Sequence, residues 1–155
     1  MFKTFRKFLP KASEGSHPTS FRQNDHRLAA AALLVHTAAI DGNMSDLERG
    51  ELHAVVKQQF GLDEATTDKL VAEAIKAERE AVDLYHFTRL INRSLDEHGR
   101  RRIVEMMWEI IYVDGRVTEF EKNVMWRAAD LLGVSQRERI ELGQRVASRR
   151  VTDQM

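Results

Sequence analysis

The amino-acid sequence predicts an all-α protein: a single-domain helical bundle built from two repeated three-helix-like units joined by a bridging helix. Three observations carry this expectation. A pattern occurs twice, as AAIDGNMSDLERGEL at Ala38 to Leu52 and as IYVDGRVTEFEKNVM at Ile111 to Met125. In each copy an apolar stretch ends in Asp-Gly, and a Ser or Thr follows with a Glu three positions later, which is a helix stop followed at once by a helix start. Leu28 to Ile40 and Ile103 to Val113 are apolar on nearly every helical face, the mark of burial on most sides. The stretches between them are polar and apolar with a helical period.

Taken in order, Phe2, Phe5, Phe8 and Leu9 share a helical face, with Lys3, Arg6 and Lys7 on the others. Such a basic amphipathic segment is suited to peripheral contact with an anionic lipid surface, here through Phe2, Phe5 and Phe8, though about two turns of isolated helix are marginal in water. Residues 11 to 23 hold Ser13, Gly15, Ser16, Pro18 and Ser20 and read as a linker. Residues 1–23 are therefore set apart from a folded domain spanning 24–147, followed by a polar tail, 148–155, expected to fray.

Within the domain, Leu28 to Ile40 forms the first central helix and stops at Asp41-Gly42. Ser45 caps the next helix, whose Leu52, Val55, Val56 and Phe60 share a face and which ends at Gly61. Asp63 caps a third, with Leu70, Val71, Ala74 and Ile75 inward. Asp83 is placed to cap a shorter bridging helix that presents Leu84, Phe87, Leu90 and Ile91. Asp96 opens the second central helix, which stops at Asp114-Gly115. The helix after it is expected to turn Phe120, Val124, Ala128, Leu131 and Leu132 inward and to end at Gly133. Ser135 and Glu138 form another capping box and open the last helix, through Ile140 to about Ala147. Asp41, Gly42, Ser45, Leu47 and Glu48 align with Asp114, Gly115, Thr118, Phe120 and Glu121 at an offset of 73, so an internal duplication is the simplest reading. Two such units would pack about a pseudo-two-fold axis with their central helices in contact.

Composition narrows the classes of function. The 155 residues carry 24 basic and 24 acidic side chains, so no global field recruits nucleic acid or a membrane. No cysteine is present, which removes disulfides and thiolate chemistry and agrees with a cytoplasmic setting. The longest apolar run falls short of the roughly 20 residues needed to cross a bilayer, and Met1 to Leu9 lacks the pattern of a secretory signal. Arg100, Arg101 and Arg102, with Arg145, Arg149 and Arg150, are interspersed with Glu97, Glu105, Glu138 and Glu141, which favours a solvated face over a nucleic-acid site.

The sequence resembles the bacterial tellurite-resistance TerB-like proteins. The resemblance rests on HRLAAAALLVHTAAIDG at His26 to Gly42, VDLYHFTRLIN at Val82 to Asn92, MMWEIIYVDGRVTEFE at Met106 to Glu121 and ADLLGVS at Ala129 to Ser135. It extends to the short apolar-basic start of one uncharacterised branch. It implies an all-helical duplicated bundle, a link to tellurite and chemical-stress responses beside membrane-associated complexes, and no established catalytic activity. The expected partner is accordingly an unidentified protein, membrane-associated by this resemblance, and the expected place is the cytoplasm or the inner-membrane periphery.

The carboxylates of the repeated turns are the candidate metal ligands: Asp41, Asp46, Glu48 and Glu51 in the first, Asp114, Glu119 and Glu121 in the second. Oxygen donors of this kind suit a hard divalent cation, calcium or magnesium. Capping explains Glu48 and Glu121, and the positive end of the helix dipole explains Asp46 and Glu119. Asp41 and Asp114 stand at helix C-termini, where a carboxylate needs compensation from following backbone donors or from a cation. An EF-hand is excluded, because counting from Asp41 puts Gly42 second and Leu52 where the bidentate Glu belongs. His36, His53, His86 and His98 form no metal-protease or di-iron motif. His36 is expected to be a satisfied core or interface histidine, and Met44, Met106, Met107, Trp108, Met125 and Trp126 to be core. The reading is a non-enzymatic stress-response or adaptor module acting through protein contacts, with a divalent cation at the two turns. The rival is a metal-dependent enzyme of unknown substrate.

Overall fold

Eight consecutive side chains, Leu28 to Val35, are buried, and Thr37 and Ala38 with them. A helix buried on all sides must be central, and this one, α1 (His26–Ala39), packs against five others. The computed structural model describes residues 21–22, 25–40 and 42–154, apart from the side chains of Asp114 and of 152–154. The segment 1–20, including Phe2, Phe5 and Phe8, lies outside the described residues. The other helices are α2 (Asp46–Phe60), α3 (Glu64–Glu80), α4 (Tyr85–Ser94), α5 (Glu97–Ile111), α6 (Glu119–Leu131) and α7 (Gln136–Gln154), with a 3₁₀ turn at Tyr112–Asp114. The described chain is all-helical. None of its helices is long and apolar enough to cross a membrane.

Each boundary follows from local chemistry. Asp25 accepts the backbone N–H of Arg27 and pairs with its guanidinium at 2.8 Å, which opens α1, while the Arg27 guanidinium lies over the Phe21 ring. Thr37 is the one buried polar side chain of α1, and its hydroxyl donates to the Leu33 carbonyl. Ser45 and Glu48 exchange both capping-box bonds, at 3.1 and 2.9 Å, and Thr118 and Glu121 do the same at the same distances. Asp63 and Asp96 cap α3 and α5 as the sequence predicts. Asp83 accepts the backbone N–H of Tyr85, the first residue of α4, from one position before the N-cap, which is Leu84. Gly61 and Gly133 take positive φ values of 62° and 75° and end α2 and α6. The order of central helix, turn, covering helix, glycine stop and further helix therefore occurs before and after α4. The two central helices, α1 and α5, touch.

Three expectations about packing are corrected. Phe120, Trp126 and the Phe120 equivalent Leu47 are exposed, at 65, 53 and 62 %. The cause is the capping box itself. In α6 the buried face consists of Glu121, Val124, Met125, Ala128 and Ala129, and at about 100° per residue Phe120 and Trp126 fall more than a quarter turn to either side. In α2 the buried Glu48 similarly turns Leu47 outward. The last helix runs on to Gln154 instead of fraying from Ser148. Arg149 reaches Glu105 and Glu109 of α5 at 2.8 Å each, and Arg150 reaches Glu51 of α2 at 3.0 Å, so charge pairs fasten the final turns. The expected core tryptophan Trp108 is half-buried, donates to the Arg139 carbonyl and stacks on Tyr112.

Burial and charge act in opposite directions in this network. Burial pulls the Glu105 carboxyl up, but the bond from Arg149 and the Arg102 charge outweigh it and hold it below the ordinary range. For Glu109 burial prevails over Arg102 and Arg149, so its carboxyl is raised above the ordinary 4.5.

Two predictions follow from packing and linkage. A Cβ built on Gly143 would lie 2.8 Å from the Trp108 ring, whereas one on Gly50 meets nothing within 4 Å. Gly143→Ala should therefore destabilise the fold by about 1–3 kcal/mol, and Gly50→Ala should stabilise it by about 0.5–1 kcal/mol through helix propensity. Urea midpoints moving in opposite directions are the expected result. Second, folded Glu109 keeps a proton at pH values where the unfolded chain has released it, so this group's contribution to stability falls as pH rises from about 4.5 through its raised value. Glu109→Gln should gain stability relative to the parent chain between pH 4.5 and 8 in urea titrations; a relative loss with rising pH would contradict the assignment.

A candidate functional site beside the two turns

The residues around the Asp-Gly turns are set by helix ends. After α1 the chain passes Ile40 and Gly42, whose φ is 134°, before Ser45 starts α2. After α5 the 3₁₀ turn closes on Gly115, φ 82°, whose N–H donates to the Tyr112 carbonyl. Only glycine takes such values without strain. Helix α2 packs against the 3₁₀ turn of the second copy. In reciprocal fashion, Ile40 at the end of α1 and Phe120 near the start of α6 line one cleft.

The sequence-chosen carboxylates divide by environment. Glu48 and Glu121 are buried and committed to the capping boxes. Glu51 pairs with Arg150. Asp46 is exposed in the first turn of α2, and Glu119 is exposed and lies 3.8 Å from Lys122. Asp41 lies outside the described residues, as does the side chain of Asp114. No three of the described turn carboxylates come within reach of one ion.

The cleft beside the turns has a volume of about 510 Å³. Its apolar lining is Ile40, Val82, Leu84, Phe120 and Val124, and its polar lining is His36, Asp83, Glu119, Asn123 and Arg127. Val82, in the connector between α3 and α4, is 98 % exposed. A second cleft of about 360 Å³ shares Val82 and Asp83 and is bounded by Leu28, Ala77, Glu80, His86 and Phe87. The connector is thus a ridge between two hollows. Sequence reasoning missed it; the available signal was a bare valine in a stretch with no helical partner positions. His36 sits on the cleft wall with Nδ1 2.9 Å from Glu78 Oε2, a half-buried partnered histidine as expected.

The remaining histidines and arginines are held separately. His86 meets the edge of Phe87, and burial lowers the pKa of His26, which packs against Phe60. Arg100 donates to the Leu95 and Leu132 carbonyls, and Arg101 and Arg102 pair with Glu97, Glu138, Glu105 and Glu109. These arginines tie helices together within the fold.

A search of the curated proteins and a search of the solved structures each returned no match. The family model described as tellurite resistance protein TerB matches residues 27–144. That stretch starts in the first turn of α1 and ends in α7, so it takes in both Asp-Gly turns, the α4 bridge and every residue lining the two clefts. With an all-helical architecture and a match over most of its length, the chain belongs to the TerB tellurite-resistance family.

Proposed function

We propose that this chain is a non-enzymatic adaptor of the stress response, and that it engages a protein partner through the cleft beside the turns. One observation carries the reading: Phe120 and Val82 stand 65 and 98 % exposed at the cleft, which Ile40 and Leu84 also line. Leaving a phenylalanine in water forgoes about 1.5–3 kcal/mol of burial, a cost recovered when a partner covers it. The charged rim, Asp83, Glu119 and Arg127, would orient that partner. A metal-dependent enzyme is the rival, and it would require polar groups converging on a reacting atom. The cleft wall carries five apolar side chains, Ile40, Val82, Leu84, Phe120 and Val124, a lining suited to a covering partner.

The second part of the proposal is a divalent cation, calcium or magnesium, at the turns. It rests on Asp41 and Asp114, because capping and ion pairing occupy Glu48, Glu121 and Glu51. A third part is peripheral membrane contact, which rests on the basic segment with Phe2, Phe5 and Phe8. Its check is liposome sedimentation of the full chain against one starting at Asn24, where equal sedimentation removes the anchor.

Two experiments test the core of the reading. Affinity capture from the native cell should recover a partner with the parent chain and with Val151→Ser, but lose it with Phe120→Ser. Recovery unaffected by Phe120→Ser would end the cleft assignment. For the cation, calcium or magnesium at about 100 times its dissociation constant should add roughly 2.7 kcal/mol to stability. Thermal melts against a chelator should show that gain in the parent chain and its loss in Asp41→Asn and Asp114→Asn; no shift with either ion would refute cation binding at the turns.

A further inference from the structure

On a different face, where α2 runs back along α3, three potential ligands from two helices converge. His53 Nε2 lies 2.9 Å from Asp68 Oδ1 and 3.4 Å from Glu64 Oε2. Glu64 and Asp68 are one helical turn apart and so project from the same side of α3. Among the described residues these three side chains can each offer one donor atom with all donors within 4.8 Å of one another.

We propose that His53, Glu64 and Asp68 form a binding site for a transition-metal dication of the zinc class, separate from the Asp-Gly turns. Zinc bonds of about 2.0–2.2 Å in tetrahedral geometry place neighbouring donor atoms roughly 3.3–3.5 Å apart. The His53 to Glu64 separation has that value, and the His53 to Asp68 pair needs to open by only a few tenths of an ångström. The turn from Gly61 to Asp63 fixes the spacing of the two helices.

The donor set decides the class of ion. One imidazole with two carboxylates suits zinc, nickel or copper, whereas calcium takes six to eight oxygens. Local charge agrees: Asp63, Glu64 and Asp68 face one lysine, Lys57, leaving a negative excess to receive a dication. Lys57 bonds Glu64 through Oε1 at 2.7 Å, which leaves Oε2, the oxygen turned toward His53, as the metal donor. Three protein ligands at a surface leave a fourth position for water or a donor from a partner. Binding takes the place of the His53 to Asp68 contact.

Isothermal titration of the full chain with zinc chloride in a non-coordinating buffer tests this. The parent chain should take up one zinc per chain at this site. His53→Ala and Asp68→Asn should weaken uptake at least tenfold, and Asp41→Asn with Asp114→Asn should leave it unchanged. Lys57→Met removes the competing cation and should tighten binding, a gain that loss of folding cannot produce; circular dichroism confirms that each variant is folded. Failure of the parent chain to take up zinc saturably, uptake indifferent to His53→Ala, or uptake lost only in the turn variants would each overturn the site. Because the turn and cleft substitutions are distinct from these, the outcome is independent of the adaptor reading.

Discussion

The burial of α1 on every face is the constraint on which the structure depends. A helix carrying Leu28 to Val35 without a polar interruption cannot sit at a surface, so other helices must surround it. The four alanines, Ala29 to Ala32, let those neighbours approach closely, and α2, α3, α4, α5 and α6 all touch it. Cover is incomplete at the first turn of α1, at His26 and Arg27, and again at its C-terminal end. There Thr37 turns its hydroxyl back to its own helix, while His36 and Ile40 reach the cleft wall. The position of the candidate site is thus a consequence of where the central helix runs out of neighbours.

The turns convert that constraint into a surface. Each must stop a buried helix and start another within a few residues, and the buried glutamates Glu48 and Glu121 make the restart possible by accepting the N–H of the capping residue. A carboxylate held on the inner face in this way takes a place that an apolar side chain would otherwise fill. The large apolar residue just before it, Leu47 or Phe120, is rotated outward. Exposure of Phe120 is therefore built into the local chemistry of the restart, and its neighbours Val82 and Leu84 extend it into a cleft.

Much of the fold was legible because short-range chemistry specifies it. Asp63, Asp96, Ser45, Thr118 and Ser135 cap the helices at the residues their spacing indicates, and Gly61, Gly115 and Gly133 take the left-handed conformation that stops them. What was not legible is partly a local competition for the inner face and partly contacts distant in the chain. Helical period alone allows Phe120 to share a face with Val124, and only the inward commitment of Glu121 decides otherwise. The C-terminal residues look like a polar tail until Arg149 and Arg150 meet carboxylates some forty residues or more upstream. The cleft likewise joins elements whose relative placement no local motif encodes.

Charge and burial also separate the surfaces of the molecule. Arg102, Arg149 and Arg150 spend their charge on Glu51, Glu105 and Glu109, binding α7 across α5 and α2, so that face serves cohesion. The cleft lies instead where the connector of α3 and α4 and the start of α6 meet the end of α1, and that connector, with Val82, borders both hollows. A partner seated on that ridge would touch the connector of α3 and α4 and the first turns of α6 together. Since α3, α4 and α6 each pack on α1, such a partner would hold three covering helices against the element that organises the fold. Binding there and stability of the central helix are then linked, because anything that favours the covered arrangement also favours the folded state.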